Sequence, residues 1–386
     1  MQASTQGTPT ADNCGTIFVA IELSQKKWLV TLHSPDRGRM SRHNLEGGDH
    51  AGLLALIAKV RARAAQKLGY EPRVVSCYEA GYDGFWLHRL LVAAMITSFV
   101  FDPSSIAVEQ RSRRAKTDRI DGELLLRTLM AYLRGEPRVV RVVHVPTVEQ
   151  EDARHAGRER DVLVKEQTAH TNRIKALLRL VGMAVGNPRR KDWLSWLERQ
   201  RDWQGQPVPP HLMSEIKREH ARLMTVREQL AAVEQSLEQS QIGDAAAAPT
   251  VLAKQCQLLR RLKGFGPAFA MSLASELFYK DFRNRREVAS YCGLTPSPWQ
   301  SGSIDREQGI SKAGNRRVRQ KVVELAWLWL RHQPESALSR WFCSRTLNAG
   351  KRARRIAIVA LARKLVVALW RYLETGLVPE EAVMKA

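Results

Sequence analysis

Four carboxylates stand at places where a charge has work to do. Glu22 closes the apolar run TIFVAIE, Glu79 closes VVSCYE, and Asp118 and Asp121 stand three apart inside AKTDRIDGELL. A spacing of three puts both aspartates on one helical face. Hard oxygen ligands of this kind suit Mg²⁺, and two such ions can stabilise the attacking and leaving oxygens of a phosphodiester, provided the fold brings the carboxylates together. The plainer account of Asp118 and Asp121 is a capped helix start whose negative charges suit the dipole. Glu79 resists so plain an account, because it follows an apolar run directly and precedes AGYDGFW. Asp83 and Glu123 read as surface charges.

A second set lies near the C-terminus. Ser301, between Gln300 and Gly302, is the hydroxyl best placed to act as a nucleophile, and Lys312, Arg316, Arg317 and Arg319 are near enough in sequence to bind the phosphate it would attack. Ser303 and Ser311 compete with it. Ser311 has its own plain role as a helix cap, since SKAGNRRVRQ runs into an amphipathic helix. No histidine base or nucleophile-elbow pattern surrounds Ser301. Upstream, RLKGFGPAFAMSLASEL resembles the hairpin of a helix-hairpin-helix module, in which Gly264 and Gly266 permit a tight turn whose backbone N–H groups, beside Lys263, can grip a phosphate. A simple helix–helix turn accounts for the same glycines equally well.

The elements that must position these residues change character along the chain. Three β-type runs, Thr16 to Leu23, Trp28 to Ser34 and Arg39 to Leu45, read as a meander. A helix is expected from His50 to Leu68, a strand at Arg73 to Tyr78, a helix from Phe85 to Met95, a strand at Thr97 to Phe101 and a helix from Asp118 to Leu133. Three antiparallel strands followed by alternating helices and strands is the order of a ribonuclease-H-like sheet, whose geometry would gather the four carboxylates at one end. Beyond Pro146 the chain turns to long charged helices. One is expected from Val148 to Val181, then a connector from Gly186 to Pro210 holding Trp193, Trp196 and Trp203, then a helix from Leu212 to Ser240. That last helix places Ile216, Leu223, Leu230 and Leu237 seven apart, a coiled-coil seam interrupted by Glu219. The seam serves either a hairpin with the previous helix or a dimer. GDAAAAPT, Gly243 to Thr250, reads as a linker. The last segment is helical, with a loop-rich interruption around Gly293 to Gly314. The expected fold class is α/β plus all-α, with an N-terminal domain over 1–145, a long-helix coiled-coil region over 146–242, a linker over 243–250 and a C-terminal helical domain over 251–386.

Composition narrows the partners. The 386 residues carry 61 Lys and Arg against 39 Asp and Glu, a formal charge of +22. A polyanion is the expected partner. A membrane is not, because the longest apolar run, Ile356 to Trp370, is broken by Arg363 and Lys364 and reads as a buried helix. The N-terminal MQASTQGTPTADNCG lacks the pattern of an export signal, so the cytoplasm is the expected compartment. Five cysteines, Cys14, Cys77, Cys256, Cys292 and Cys343, never form a CxxC, which argues against a disulfide framework and a zinc site. Cys77 and Cys292 read as core packing.

With these residues in view, the chain resembles the DEDD insertion-sequence transposases (insertion sequence family one-hundred-ten), relatives of the Piv and MooV DNA invertases and known as bridge-RNA-guided recombinases. The likeness rests on VAIELSQKKW, YEAGYDGFWLHRLL, AKTDRID, RERDVLVKEQTAHTNRIKALLRLVG, LKGFGP, YCGLTPSPWQSGSI and ISKAGNRRVR. It implies a RuvC-like domain with Glu79, Asp118 and Asp121 as Mg²⁺ ligands and Glu22 in the first acidic place, where family members more often have Asp. Glutamate is one methylene longer, so either the strand sits further back or the ligand acts through water. The resemblance further implies that Ser301 forms a covalent phosphoserine link to DNA, with the carboxylates completing a composite site. It also implies dimers and tetramers around a structured guide RNA that pairs with donor and target DNA. Such delegation agrees with a basic chain that shows no zinc finger, RRM signature or recognition helix. Two other functions remain compatible with the residues: a metal-dependent, junction-resolvase-like nuclease that leaves Ser301 idle, and a non-enzymatic RNA-binding scaffold.

Overall fold

The continuous apolar run TIFVAIE has the pattern of a strand covered on both faces. In the computed structural model, which describes residues 15–81, 83–106, 118–242, 250–301 and 304–385, it forms the central strand of a five-stranded sheet. The chain divides into two compact units, Met1–Pro146 and Thr147–Ala386.

In the first unit β1 (Thr16–Glu22), β2 (Lys27–His33) and β3 (Met40–Glu46) form an antiparallel meander. Helix α1 (His50–Leu68) leads to β4 (Arg73–Glu79), α2 (Trp86–Ala93) leads to β5 (Thr97–Phe101), and α3 (Asp118–Leu133) follows. The order across the sheet is β3-β2-β1-β4-β5, with β4 parallel to β1 and β5 parallel to β4. Parallel neighbours need such helical crossovers. This mixed α/β arrangement is consistent with a ribonuclease-H-like domain. Side chains alternate between two cores. Ile17, Val19 and Ile21 pack with α1 and α2 on one face, while Phe18 and Ala20 join Val75, Cys77 and Leu125, Leu126 and Leu129 of α3 on the other.

The second unit is built from helices and one hairpin. Its elements are α4 (Val148–Asp152), α5 (His155–Leu180), α6 (Trp193–Glu198), α7 (Pro210–Ile242), α8 (Val251–Arg261), α9 (Pro267–Glu276), α10 (Arg285–Tyr291), β6 (Pro296–Ser301), β7 (Ile304–Ile310), α11 (Arg316–His332), α12 (Ala337–Thr346) and α13 (Lys351–Thr375). The expected single helix from Val148 to Val181 is broken at Ala153 and Arg154. The break turns the Arg154 side chain inward, where its Nε donates to the Ser275 carbonyl at 3.0 Å and its guanidinium lies 4.1 Å from the centre of the Tyr279 ring. The segment expected to be a loop, Gly293 to Gly314, contains the antiparallel pair β6–β7.

Helices α5 and α7 pack along each other, and the seam residues Ile216, Leu223, Leu230 and Leu237 are all buried. The seam therefore serves an intramolecular hairpin. Glu219, its polar interruption, is only 2% exposed and accepts from Nδ1 of His170 at 2.8 Å and from Arg222 at 2.6 Å. Burial pushes the Glu219 carboxyl up, but these hydrogen bonds more than offset it and hold the group below its ordinary value of 4.5. The connector is packed too: Trp193 is buried and stacked on His220 at 5.1 Å, whereas Trp203 is exposed. Cys77, Cys256 and Cys292 are buried free thiols and Cys343 is an exposed one, while Cys14 lies outside the described residues. No helix among the described residues is long and apolar enough to cross a membrane, and Leu361, Leu365 and Leu369 of α13 fill the core of the second unit.

Candidate active site

Strand register brings two of the four carboxylates together. In the parallel pair β1–β4, Ile21 is opposite Tyr78, so Glu22 and Glu79, the next residues, end neighbouring strands about 4.8 Å apart. Both continue the face of Phe18, Ala20, Val75 and Cys77, the face that α3 covers. Burial, with the Glu79 charge added to it, pushes the Cys77 thiol well above its ordinary value, so Cys77 is inert packing.

Helix α3 lies close on the neighbouring strand β2 because of a glycine. A Cβ on Gly122 would lie 2.6 Å from Thr31 Oγ1 and 3.4 Å from a methyl carbon of Leu29, and Leu29 is the register partner of Glu22. With Thr31 in place, a glycine at 122 lets the start of α3 lie this close to β2. That start carries Asp121, half-buried, one residue before Gly122. Asp118 is the first residue of α3, and its side chain lies outside the described residues. Glu123 pairs with Arg42 on β3 and so faces away from any ligand role. Among the described residues no three His, Cys, Asp or Glu side chains stand close enough to share one ion. The donors at the two adjacent strand ends, Glu22 and Glu79, are carboxylates, the chemistry that a hard divalent cation takes.

Ser301 ends β6, paired with Ile304 of β7; its side chain, Gly302 and Ser303 lie outside the described residues. The loop that follows the hairpin is held by backbone geometry. Gly293 (φ +64°) and Lys312 (φ +57°) both lie in the left-handed region, and a Cβ on Gly293 would meet the Arg319 guanidinium at 2.5 Å. Arg319 donates to the carbonyls of Lys312 at 3.0 Å and Cys292 at 3.4 Å, so its charge secures the loop. Arg317 is ion-paired to Asp161 of α5 at 2.8 Å, beside Lys321 at 2.7 Å. Lys312 and Arg316 face solvent. Ser311 is no helix cap: Asn315 caps α11, accepting from Val318 N at 3.1 Å, and Ser311 instead accepts a hydrogen bond from Thr295 at 3.1 Å.

The glycine turn of LKGFGP joins α8 to α9, with Gly264 at φ +96° and Gly266 as the cap residue of α9. The C-terminal segment lies against it. Lys263 N donates to the Val383 carbonyl at 3.0 Å, and Gln333 donates to the Lys263 carbonyl at 2.8 Å. The amide of Lys263 is thus spent within the protein. Sequence reasoning used Arg363 and Lys364 of α13 only as breaks in an apolar run and missed that Arg352, Arg355, Arg363 and Arg371 recur at spacings that keep them on one helical side. That spacing was the available signal.

Residues 256–341 match the model of the transposase IS116/IS110/IS902 family. Residues 19–183 match a second transposase model, that of the DEDD transposases of the IS110 type. The chain is 49% identical over 379 residues to the Sinorhizobium fredii protein named "Putative transposase y4rJ", covering 96% of this chain and 95% of that one. It is also 28% identical over 294 residues to the transposase for insertion sequence element IS1111A of Coxiella burnetii, covering 74% of each. The transposase for insertion sequence element IS1328 of Yersinia enterocolitica is 26% identical over 345 residues, 88% of this chain and 96% of that one. A mixed α/β unit with carboxylates at adjacent strand ends, and a likeness that runs nearly the whole length of a relative, place this chain in the IS110 family of DEDD transposases, enzymes that act on DNA.

Proposed function

We propose that this transposase cuts and rejoins DNA through a phosphoserine intermediate, with Ser301 as nucleophile and Glu22, Glu79, Asp118 and Asp121 as the ligands of Mg²⁺. The observation that supports the reading is the end of the sheet, where Glu22 and Glu79 end neighbouring strands on one face and Gly122 lets α3 lie close on Leu29 and Thr31 of the adjoining strand β2. Bound there, the metal would supply charge for the oxygens of the reacting phosphodiester.

The chain's own groups do the remaining work. The Ser301 hydroxyl oxygen bonds to phosphorus and loses its proton, while one phosphorus–oxygen bond to deoxyribose breaks and the departing oxygen takes up a proton. Rejoining is the reverse, with the hydroxyl of a second strand displacing serine. Lys312 and Arg316 are free to hold the phosphate, and the turn at Lys263, Gly264 and Gly266 is a further backbone grip, with the amides not committed to the C-terminal segment available to it. The resemblance adds a structured guide RNA that pairs with donor and target DNA, assembly as dimers or tetramers, and action in the cytoplasm; the +22 charge without a base-reading motif supports the guide. In domain terms, the reading assigns a RuvC-like catalytic domain to 1–145 and a serine-bearing domain to 251–386, with the long helices over 146–242 and a linker over 243–250 between them.

The test is electrophoresis under denaturing conditions after incubation with Mg²⁺, the copurifying RNA and cognate DNA. Wild type should retain DNA covalently and Ser301→Ala should not, while both bind DNA equally. Normal recombination by Ser301→Ala, or an adduct that maps to Ser303 or Ser311, overturns the nucleophile. Strand cleavage with free ends and no adduct assigns the chain to metal-dependent nucleases instead.

A further inference from the structure

The second unit holds a groove of about 1040 Å³ between α10, the base of the β6–β7 hairpin and α13. Eight of its lining residues are Lys or Arg and none is Asp or Glu. Arg285 and Arg286 stand on one side, and Arg352, Arg355, Arg363 and Arg371 on the other. Among the described residues none of these six arginines is in an ion pair, although the second unit pairs Arg158, Arg317 and Arg340 with carboxylates. So dense a set of like charges costs free energy in the free protein and is repaid only by an anion. The floor is aliphatic, with Leu294, Val359, Val367 and Ile356, the last 63% exposed.

We infer that this groove holds one strand of unpaired DNA, its phosphates on the arginine walls and its sugars and bases over the aliphatic floor. A duplex turns its phosphates outward and its bases inward, so it could use the walls and never reach the floor; an unpaired strand uses both. Pro296 and Ile310, at the base of the hairpin, line the groove, and Ser301 is five residues along β6 from Pro296, about 16 Å at the ordinary rise of a strand. A strand lying in the groove is thereby handed along β6 toward the proposed nucleophile. The choice of DNA rests on that reading of Ser301.

The test is fluorescence anisotropy of the full-length protein with a single-stranded oligodeoxynucleotide, repeated with a blunt duplex and with an oligoribonucleotide of the same sequence. The triple variant Arg352→Ala, Arg355→Ala, Arg363→Ala alters exposed or half-exposed side chains and should fold normally, as its melting curve will show. It should lose about tenfold or more in affinity for the DNA strand, and the slope of log K against log salt should fall by about 2, the share of three phosphate contacts to a single strand. A control triple, Lys59→Ala, Lys191→Ala, Arg218→Ala, removes the same charge elsewhere and should do far less. Equal losses in the two triples, an equal loss on the duplex, or a loss confined to the oligoribonucleotide overturns the inference. So does an unchanged strand affinity with loss of an acidic amphipathic peptide instead, which gives the groove to a protein partner. Because no cleavage is read, a failed adduct assay at Ser301 with an intact groove effect sinks the nucleophile and leaves the groove standing.

Discussion

The two regions that carry the proposed chemistry are built on opposite plans. The carboxylate corner sits at the end of a five-stranded sheet, where Glu22 and Glu79 are fixed by strand register and Asp121 by the contact of Gly122 with Thr31. Ser301 sits at the end of a two-stranded hairpin, an element that is marginal on its own in water and is anchored at its base, where Ile310 packs on the helical core. Rigid elements hold ligands to the tolerance that a metal needs, whereas a nucleophile on a hairpin takes its final position from the strand it attacks. The difference makes the corner sensitive to single charges and small volumes, and the hairpin sensitive to what lies in the groove beneath it.

The largest effect should come from charge at the corner. Asp121→Asn, and separately Asp118→Asn, should lower strand cleavage about a thousandfold, roughly 4 kcal/mol in the barrier, because an amide keeps the volume and loses the anionic ligand. Cleavage kinetics beside a thermal melt check this, and wild-type rates in either variant remove that residue from the ligand set.

A structural break in the second unit should leave the corner untouched. Glu219→Ala removes one member of a buried polar network from the α5–α7 hairpin and should cost about 3 kcal/mol of stability. The pH dependence follows from the lowered pKa of Glu219. Its stabilising contribution is present above the unfolded value near 4.5 and is lost as pH falls through the lower folded value. Denaturant titrations at pH 7 and pH 3 should show the gap between wild type and Glu219→Gln narrowing at the acid end. A gap that widens there contradicts the network.

A smaller and sharper effect tests how the corner is assembled. Gly122→Ala places a methyl where Thr31 Oγ1 stands and should cost about 1–3 kcal/mol, with cleavage reduced as the first turn of α3 lifts. Thr31→Ala should be nearly neutral alone, since its buried hydroxyl has no hydrogen-bond partner among the described residues, and should restore much of the loss in the double variant. A strictly additive double-mutant cycle would show that the contact does not set the helix.

The same contrast decided what the sequence could tell. The corner was legible because TIFVAIE and VVSCYE are apolar runs that end in a charge, and strand ends are where a sheet can carry one. The hairpin was read as a loop because PSPWQS holds two prolines and IDREQG is polar on both faces, which leaves no alternation to detect. Its one signal was Gly302-Ser303, a dipeptide of the kind that joins two strands. The break at Arg154 carries no proline, and the partners that its side chain takes there, Ser275 and Tyr279, lie more than a hundred residues away. The groove was invisible for a like reason, since Arg286 and Arg352 meet only in the folded chain.

The central claim is the proposal that a divalent cation, when bound, draws the four carboxylates together, and it can be tested without any turnover. Titration of Mn²⁺, a spectroscopic substitute for Mg²⁺, into wild type, Glu79→Gln and Asp121→Asn, with free ion followed by electron paramagnetic resonance, reads the site directly. Wild type should deplete the free-ion signal, each variant should weaken that binding at least tenfold, and Mg²⁺ should compete it away. Equal Mn²⁺ binding by all three proteins would contradict the account.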